Sequence, residues 1–440
     1  MPLELTPEQA ELAERSAAGG LWLAGPAGTG KTAVAAARLA RLIEAGQAEA
    51  ALVLVPQRTL GLADQQVARD PQAAPGGVVT VLTPGGLAKR MVELFWPLAA
   101  EAAGFAHPDR PPTFLTLETA QYHMARVVRP LIEQERYFDG VAIARHRLYS
   151  QVLDNLNKAA SVGFSHDEVG ARLKAAWIGE EAQLRVYDDV QDCAARFRQH
   201  CLAHNLLDFS LQLEVFRDHL WPQGACRDHL RARFRHLIAD NVEEFTPVAC
   251  DWIEAWVAEA DSALLVHDDD AGHRVFLGAD PQAAQELAEA CQDAAALSES
   301  FVCEPEVHAL EARLCAVLER ASPFSGRADP RRALRFAYQR FHPQAVDWVA
   351  EEVARLVQEE DVPPGEIVVL APFLSDALRF ALRARLDEAG VPVQSHRPSR
   401  ALLEEPATRC LLTWAALAHP DWGAAPTPPD VAHALQQSVA

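Results

Sequence analysis

One octapeptide constrains this chain more than any other feature: Gly25-Pro26-Ala27-Gly28-Thr29-Gly30-Lys31-Thr32. An apolar run, Leu21-Trp22-Leu23-Ala24, precedes it, and an alanine-rich stretch over 31–46 follows. Strand, glycine turn and helix in that order satisfy G-x-x-x-x-G-K-[ST] in the setting the pattern requires. The glycines free backbone N–H groups to wrap an anion, and the N-terminal end of the helix adds positive potential. Lys31 then reaches outer phosphates, and the Thr32 hydroxyl joins the shell of a divalent cation. ATP with Mg²⁺ is the expected cofactor pair.

The rest of the chain supplies a scaffold for such a loop. Thr6, Pro7 and Gln9 mark a helix start, with Gln9 where a capping-box side chain folds back. Apolar runs at 51–55 and 78–82 read as strands, stopped by Pro56 and by Thr83-Pro84-Gly85-Gly86. The pattern turns helical over 99–206, as at 148–160 and 184–204, before strand-like runs return at 236–239 and 263–266. Beyond a proline- and arginine-rich linker at 322–332, runs at 333–338 and 366–371 flank a helix at 345–359 and suggest a second βαβ unit. A length of 440 residues accommodates roughly three domains. The expected fold is α/β, a parallel sheet with helices on both faces formed by 1–98 and 207–290, with a helical insertion at 99–206. Residues 291–440 are expected to begin a second domain of the same type.

Taken together, these residues make the chain resemble the UvrD/Rep/PcrA group of superfamily 1 DNA helicases, which have RecA-like motor domains. Leu5-Thr6-Pro7-Glu8-Gln9 is similar to that group's Q motif, so the resemblance gives Gln9 the adenine edge and Arg38 a place beside the nucleotide. Thr83 lies where a DNA-contacting motif begins, and Leu207-Asp208-Phe209 resembles the return from the insertion to the sheet. Asp240 falls at the Mg²⁺ aspartate of the Walker B strand, making Thr32 and Asp240 the expected metal pair. Single-stranded DNA is the partner so implied, with a 1B-like insertion and a truncated 2A-like second motor domain. The family's last motifs are not found by residue 440.

The departures matter as much. The family follows its aspartate with a glutamate that activates water, but here the pair is Asp240-Asn241. A neutral amide accepts no proton, so a general-base contribution of ~10²–10⁴-fold is missing. Glu243 and Glu244 are the remaining candidates for a base, although an acidic turn is ordinarily just solvated. In the next motif Ala271 replaces a coupling glutamine, Arg274 a base-stacking tyrosine and Leu277 an arginine; Val302 then stands for a phosphate-contacting arginine. The His/Asp cluster at 267–273 reads as a solvated turn rather than a metal site. In the insertion, Tyr149, Trp177, Tyr187 and Arg145-His146-Arg147 read as an ordinary amphipathic helix pair before a nucleic-acid surface.

Charge and cysteine content narrow the function. A net charge of −21 repels a polyanion globally, so DNA binding is expected to be local, weak or assisted by a protein partner in a repair complex. The eight cysteines are scattered without a C-x-x-C pair and read as reduced thiols. No apolar run of ~18 residues and no signal-peptide pattern is present, so the chain reads as cytoplasmic. The expected function is an ATP-binding helicase-family protein impaired in hydrolysis and unwinding. The competing expectations are an active helicase with an atypical base, completed by a missing half, and an ATP-binding scaffold subunit.

Overall fold

A computed structural model describes residues 5–57, 61, 79–269, 271–322, 327–395, 405–422 and 425–439, so position 78 of the run at 78–82, position 270 of the cluster at 267–273 and 323–326 of the linker lie outside the described residues. The chain divides into two compact units, Met1–Ala328 and Asp329–Ala440.

In the first unit, α1 (Pro7–Glu14) leads to β1 (Leu21–Gly25), the glycine loop and α2 (Lys31–Glu44). Strands β2 (Ala51–Leu54) and β3 (Thr80–Leu82) follow, then α3 (Pro84–Leu94). The insertion runs through β4 (Thr113–Phe114), α4 (Leu117–Gln134), α5 (Arg145–Val162), α6 (Val169–Ala176) and α7 (Leu184–Ala203). The return comprises β5 (Leu206–Leu207), α8 (Phe209–Val215), α9 (Gly224–Arg233), β6 (His236–Ala239), α10 (Pro247–Val257) and β7 (Ser262–Asp268). Helix α11 (Pro281–Glu286), β8 (Asp293–Ala296) and α12 (Pro305–Val317) complete it.

Six parallel strands form one sheet in the order β3-β2-β6-β7-β1-β8. Both faces are covered, as an all-parallel sheet demands. The alternation of side chains along each strand sorts them into two cores. Leu21, Leu23, Val53, Ile238 and Leu264 pack with α1 and α2 on one side. Trp22, Leu52, Leu237 and Leu265 pack with α3, α10 and the insertion on the other. The sheet extends past residue 290 to take in β8 on its edge.

The insertion is helical except for one short element: β4 pairs in parallel with β5, two residues on each side. Asn205, in the left-handed region at φ 51°, sends its side-chain amide to the carbonyls of His107 and Arg110 and so fixes that junction.

The second unit contains α13 (His342–Glu359), α14 (Asp376–Glu388), α15 (Pro406–Ala418) and α16 (Pro428–Val439). Its central helix matches expectation, but the runs at 333–338 and 366–371 are not strands. A strand needs a partner edge and at least one covered face, and here Phe336 and Tyr338 are each 84% exposed. Val353, Ala350, Leu386 and Val391 form the small core between α13 and α14. All eight cysteines are free thiols, and no helix among the described residues is long and apolar enough to cross a membrane.

Candidate nucleotide site and adjoining groove

Three neighbouring parallel strands end at the same edge of the sheet, and their register brings the site together. Gly25 of β1 lies beside Asp268 of β7, and β7 lies beside β6, whose end carries Asp240. Such carboxyl-end crevices are where open α/β sheets hold ligands. Gly28 and Gly30 both sit at φ +84°, a conformation that glycine adopts without strain, so the loop curls back over the start of α2.

Lys31 is buried under this loop. Its ammonium donates to the carbonyls of Gly25 and Pro26, both at 2.7 Å, and pairs with Asp268 at 2.5 Å. Thr29 donates its hydroxyl to the Pro26 carbonyl at 3.0 Å, which ties the loop across itself. Thr32 donates to Asp240 Oδ2 at 3.0 Å. Asp240 is 1% exposed, and burial raises its pKa to about 6 against the pull of the Thr32 hydrogen bond. A hydroxyl and a carboxylate in contact at the mouth of a phosphate loop form the oxygen donor set that a Mg²⁺ ion uses. The residues present therefore fit ATP with Mg²⁺.

Gln9 is tied to this loop by its side chain. Its Oε1 accepts from the Thr6 amide at 3.0 Å, completing the capping box, while its Nε2 donates to the Thr29 carbonyl at 3.0 Å. Arg38 donates to the Arg15 carbonyl at 2.7 Å, holding the end of α1 against α2.

Asn241 takes the left-handed conformation, φ 57° and ψ 53°, and its amide donates to Asp240 Oδ1 at 3.0 Å. Asparagine is one of the few residues that adopts this region readily. The two glutamates after it hold the following loop. Glu243 is buried and accepts from the Asp268 amide at 3.0 Å, and burial pushes its pKa up to about 8. Glu244 accepts from the amides of His273 and Arg274 at 3.0 and 2.9 Å. Asp268, read from sequence as part of a solvated turn, is instead the partner of Lys31. Its position at the end of a buried strand was the available signal. Among the described residues no cluster of three or more His, Cys, Asp or Glu is arranged to hold a metal ion.

On the far side of the Glu244 turn lies a groove of about 760 Å³, lined by Thr83, Lys158, Phe209, Glu244, Arg274, Phe276 and others. Thr83 caps α3 by accepting from the Gly86 amide at 3.1 Å, which accounts for Pro84-Gly85-Gly86 as a helix start. Gly85 is small because the Phe209 ring occupies the space a Cβ would need, 2.7 Å away. Phe276 is 76% exposed, and one guanidinium nitrogen of Arg274 is buried without a hydrogen-bond partner among the described residues. Sequence reasoning named Arg274 and Leu277 as replacements but missed Phe276 and Lys158. Tyr149 lies in the core, and Trp177 packs edge-on against Tyr187 and donates to the Glu180 carbonyl.

A phosphate loop on β1, with a buried aspartate two strands away in a six-stranded parallel sheet, defines a RecA-like α/β fold. The chain is distantly related to the UvrD-like superfamily 1 helicases. Three curated proteins, each described as ATP-dependent DNA helicase UvrD2, come from Mycobacterium bovis (strain ATCC BAA-935 / AF2122/97) and Mycobacterium tuberculosis (strains CDC 1551 / Oshkosh and ATCC 25618 / H37Rv). Each is 25% identical to this chain over 396 residues, covering 84% of the chain and 52% of the relative. The chain thus spans about half the length of the curated relatives it matches. No protein-family model matches it.

Proposed function

We propose that this chain is an ATP–Mg²⁺-binding protein of the UvrD-like DNA helicase type that hydrolyses ATP slowly and does not unwind DNA by itself. Gly25 to Thr32 hold the phosphates, Thr32 and Asp240 hold the cation, and Gln9 and Arg38 flank the base, Gln9 from its bond to the Thr29 carbonyl and Arg38 from α2. A cation held there would supply charge neutralisation for the phosphates. Residues 99–206 act as the insertion, and the second unit begins a second motor domain.

The observation that carries the hydrolysis defect is the engagement of the carboxylates after Asp240. Position 241 is an amide, and both nearby glutamates are already bonded to backbone amides of 268–274. Glu243 is moreover buried, which raises its pKa to about 8, and its Oε2 is held by the Asp268 amide rather than directed at a water beside the phosphates. The expected loss is therefore the general-base factor of ~10²–10⁴.

The groove is the path for single-stranded DNA. Exposed Phe276 and the partly exposed Phe209 offer stacking surfaces, and Lys158 and Arg274 offer cations for the phosphodiester backbone. The chain's net charge of −21 keeps this binding weak and favours a protein partner, in the manner of a repair complex. The test is steady-state ATPase with single-stranded DNA on the wild type, Asn241→Glu and Lys31→Ala, with calorimetry for ATP–Mg²⁺. Binding lost in Lys31→Ala and wild-type turnover far below the ~1–10³ s⁻¹ usual for enzymes are the expected outcome. Wild-type turnover within that range, abolished in Lys31→Ala, overturns the defect.

A further inference from the structure

The segment 300–302 lies directly on the phosphate loop. The Phe301 amide donates to the Gly28 carbonyl at 3.2 Å, which staples the segment to the apex of the loop. A Cβ placed on Gly28 would come within 2.5 Å of Val302 Cγ2 and 2.9 Å of Ser300 Oγ. Gly28 is thus required twice, for its positive φ and for the approach of this segment. Val302 brings a methyl group to the loop, where it can donate nothing to an anion.

Ser300 has a different chemistry in the same place. Its Oγ is shielded from solvent and has no hydrogen-bond partner among the described residues. A buried hydroxyl without a partner carries a free-energy cost, and each such group calls for an explanation. The hydroxyl rotor can aim its proton wherever an acceptor stands. The loop beneath it is built to gather anionic oxygens, so the acceptor that fits is a phosphate oxygen.

We propose that Ser300 is a phosphate-binding residue, its hydroxyl donating to the nucleotide from above the loop while the backbone amides and Lys31 act from within it. The assignment rests on the ATP-binding reading of the same loop. It gives this chain a neutral donor beside the position at which Val302 offers none.

The experiment is calorimetric titration of ATP–Mg²⁺ and of ADP–Mg²⁺ into the wild-type chain and into Ser300→Ala, Ser300→Thr, Val302→Ala and Lys31→Ala. A hydrogen bond to a charged acceptor lost in Ser300→Ala should weaken nucleotide binding about tenfold. Ser300→Thr, which keeps the hydroxyl, should regain most of it. Unchanged affinity in Ser300→Ala, with binding lost in Lys31→Ala, would overturn the assignment and leave the loop reading intact. A loss of the same size in Val302→Ala would also overturn it, because packing rather than the hydroxyl would then be responsible. Full binding in Lys31→Ala would remove the loop reading and this assignment with it.

Discussion

Arg198 is the residue whose removal should be felt most widely. It projects from α7 and is buried at the junction where the insertion rejoins the sheet. Its guanidinium donates to Asp208 Oδ1 at 3.1 Å, to Ser210 Oγ at 3.0 Å and to Glu214 Oε1 at 2.7 Å. The side chains of Arg198 and Asp208 are 3% and 2% exposed, and that of Glu214 is 12% exposed. Asp208 also caps α8, accepting from the amides of Ser210 and Leu211. Arg198→Met keeps most of the apolar volume and removes the one charge that contacts both buried carboxylates here, leaving Glu214 with the weaker influence of Arg217. Breaking a buried pair by removing one partner costs ~3–5 kcal/mol. The lower end applies, because Glu214, whose pKa burial already raises to about 7, can shed its charge by taking a proton.

That escape sets the pH dependence. A carboxyl group whose folded pKa is raised contributes stability that is present below its unfolded value and lost as pH rises through the folded one. The deficit of Arg198→Met should therefore be smaller near pH 5, where only Asp208 is left without its partner, than near pH 8, where Glu214 is too. Urea unfolding of the wild type, Arg198→Met and Arg198→Met/Glu214→Leu at both pH values measures it, with the double variant regaining part of the loss. A deficit under ~0.5 kcal/mol at pH 8, the range of ordinary surface changes, would refute the assignment of this cluster as an obligate charge balance.

Glu243→Gln should leave the fold intact, since the amide oxygen can still accept from Asp268, and it should flatten the pH dependence of unfolding. The wild-type contribution falls as pH rises from the ordinary 4.5 to about 8, and a melting series across that window without any difference between the two proteins would refute it. Phe276→Ala should weaken single-stranded DNA binding by the ~1–3 kcal/mol of a stacked base, measured by fluorescence anisotropy. Arg274→Ala should weaken it for all sequences alike and lower the salt slope by about 1, as expected for one lost phosphate contact. Asn241→Glu should raise ATP turnover only in part, and it should lower thermal stability because a longer side chain enters the left-handed region at φ 57°.

What could be read from the chain was whatever its local covalent pattern dictates. The loop from Gly25 to Thr32, the helix after it and the buried runs that became β1, β2, β6 and β7 all announce themselves within a few residues. The strand-like runs of the second unit also announced themselves, yet they are not strands. Alternation states a propensity, and a strand exists only where another edge accepts its hydrogen bonds. In the first unit those edges come from segments far apart in the chain, such as β2 beside β6.

The site was half legible for the same reason. Gln9 and Lys31 were readable as chemistry, but not the acceptors they use, because Thr29, Gly25 and Asp268 meet them only through the fold of the loop and the pairing of β1 with β7. The acidic turn is the sharper case. From sequence, Glu243 and Glu244 are either spare bases or solvated charges. Register gives both a backbone partner: β6 and β7 end side by side, so the turn leaving β6 faces the loop leaving β7, whose amides need acceptors. Two adjacent carboxylates meet that need, one for Asp268 and one for His273 and Arg274. The same turn thus connects the partner of Lys31 to the arginine of the groove, through two residues that meet neither of them in sequence.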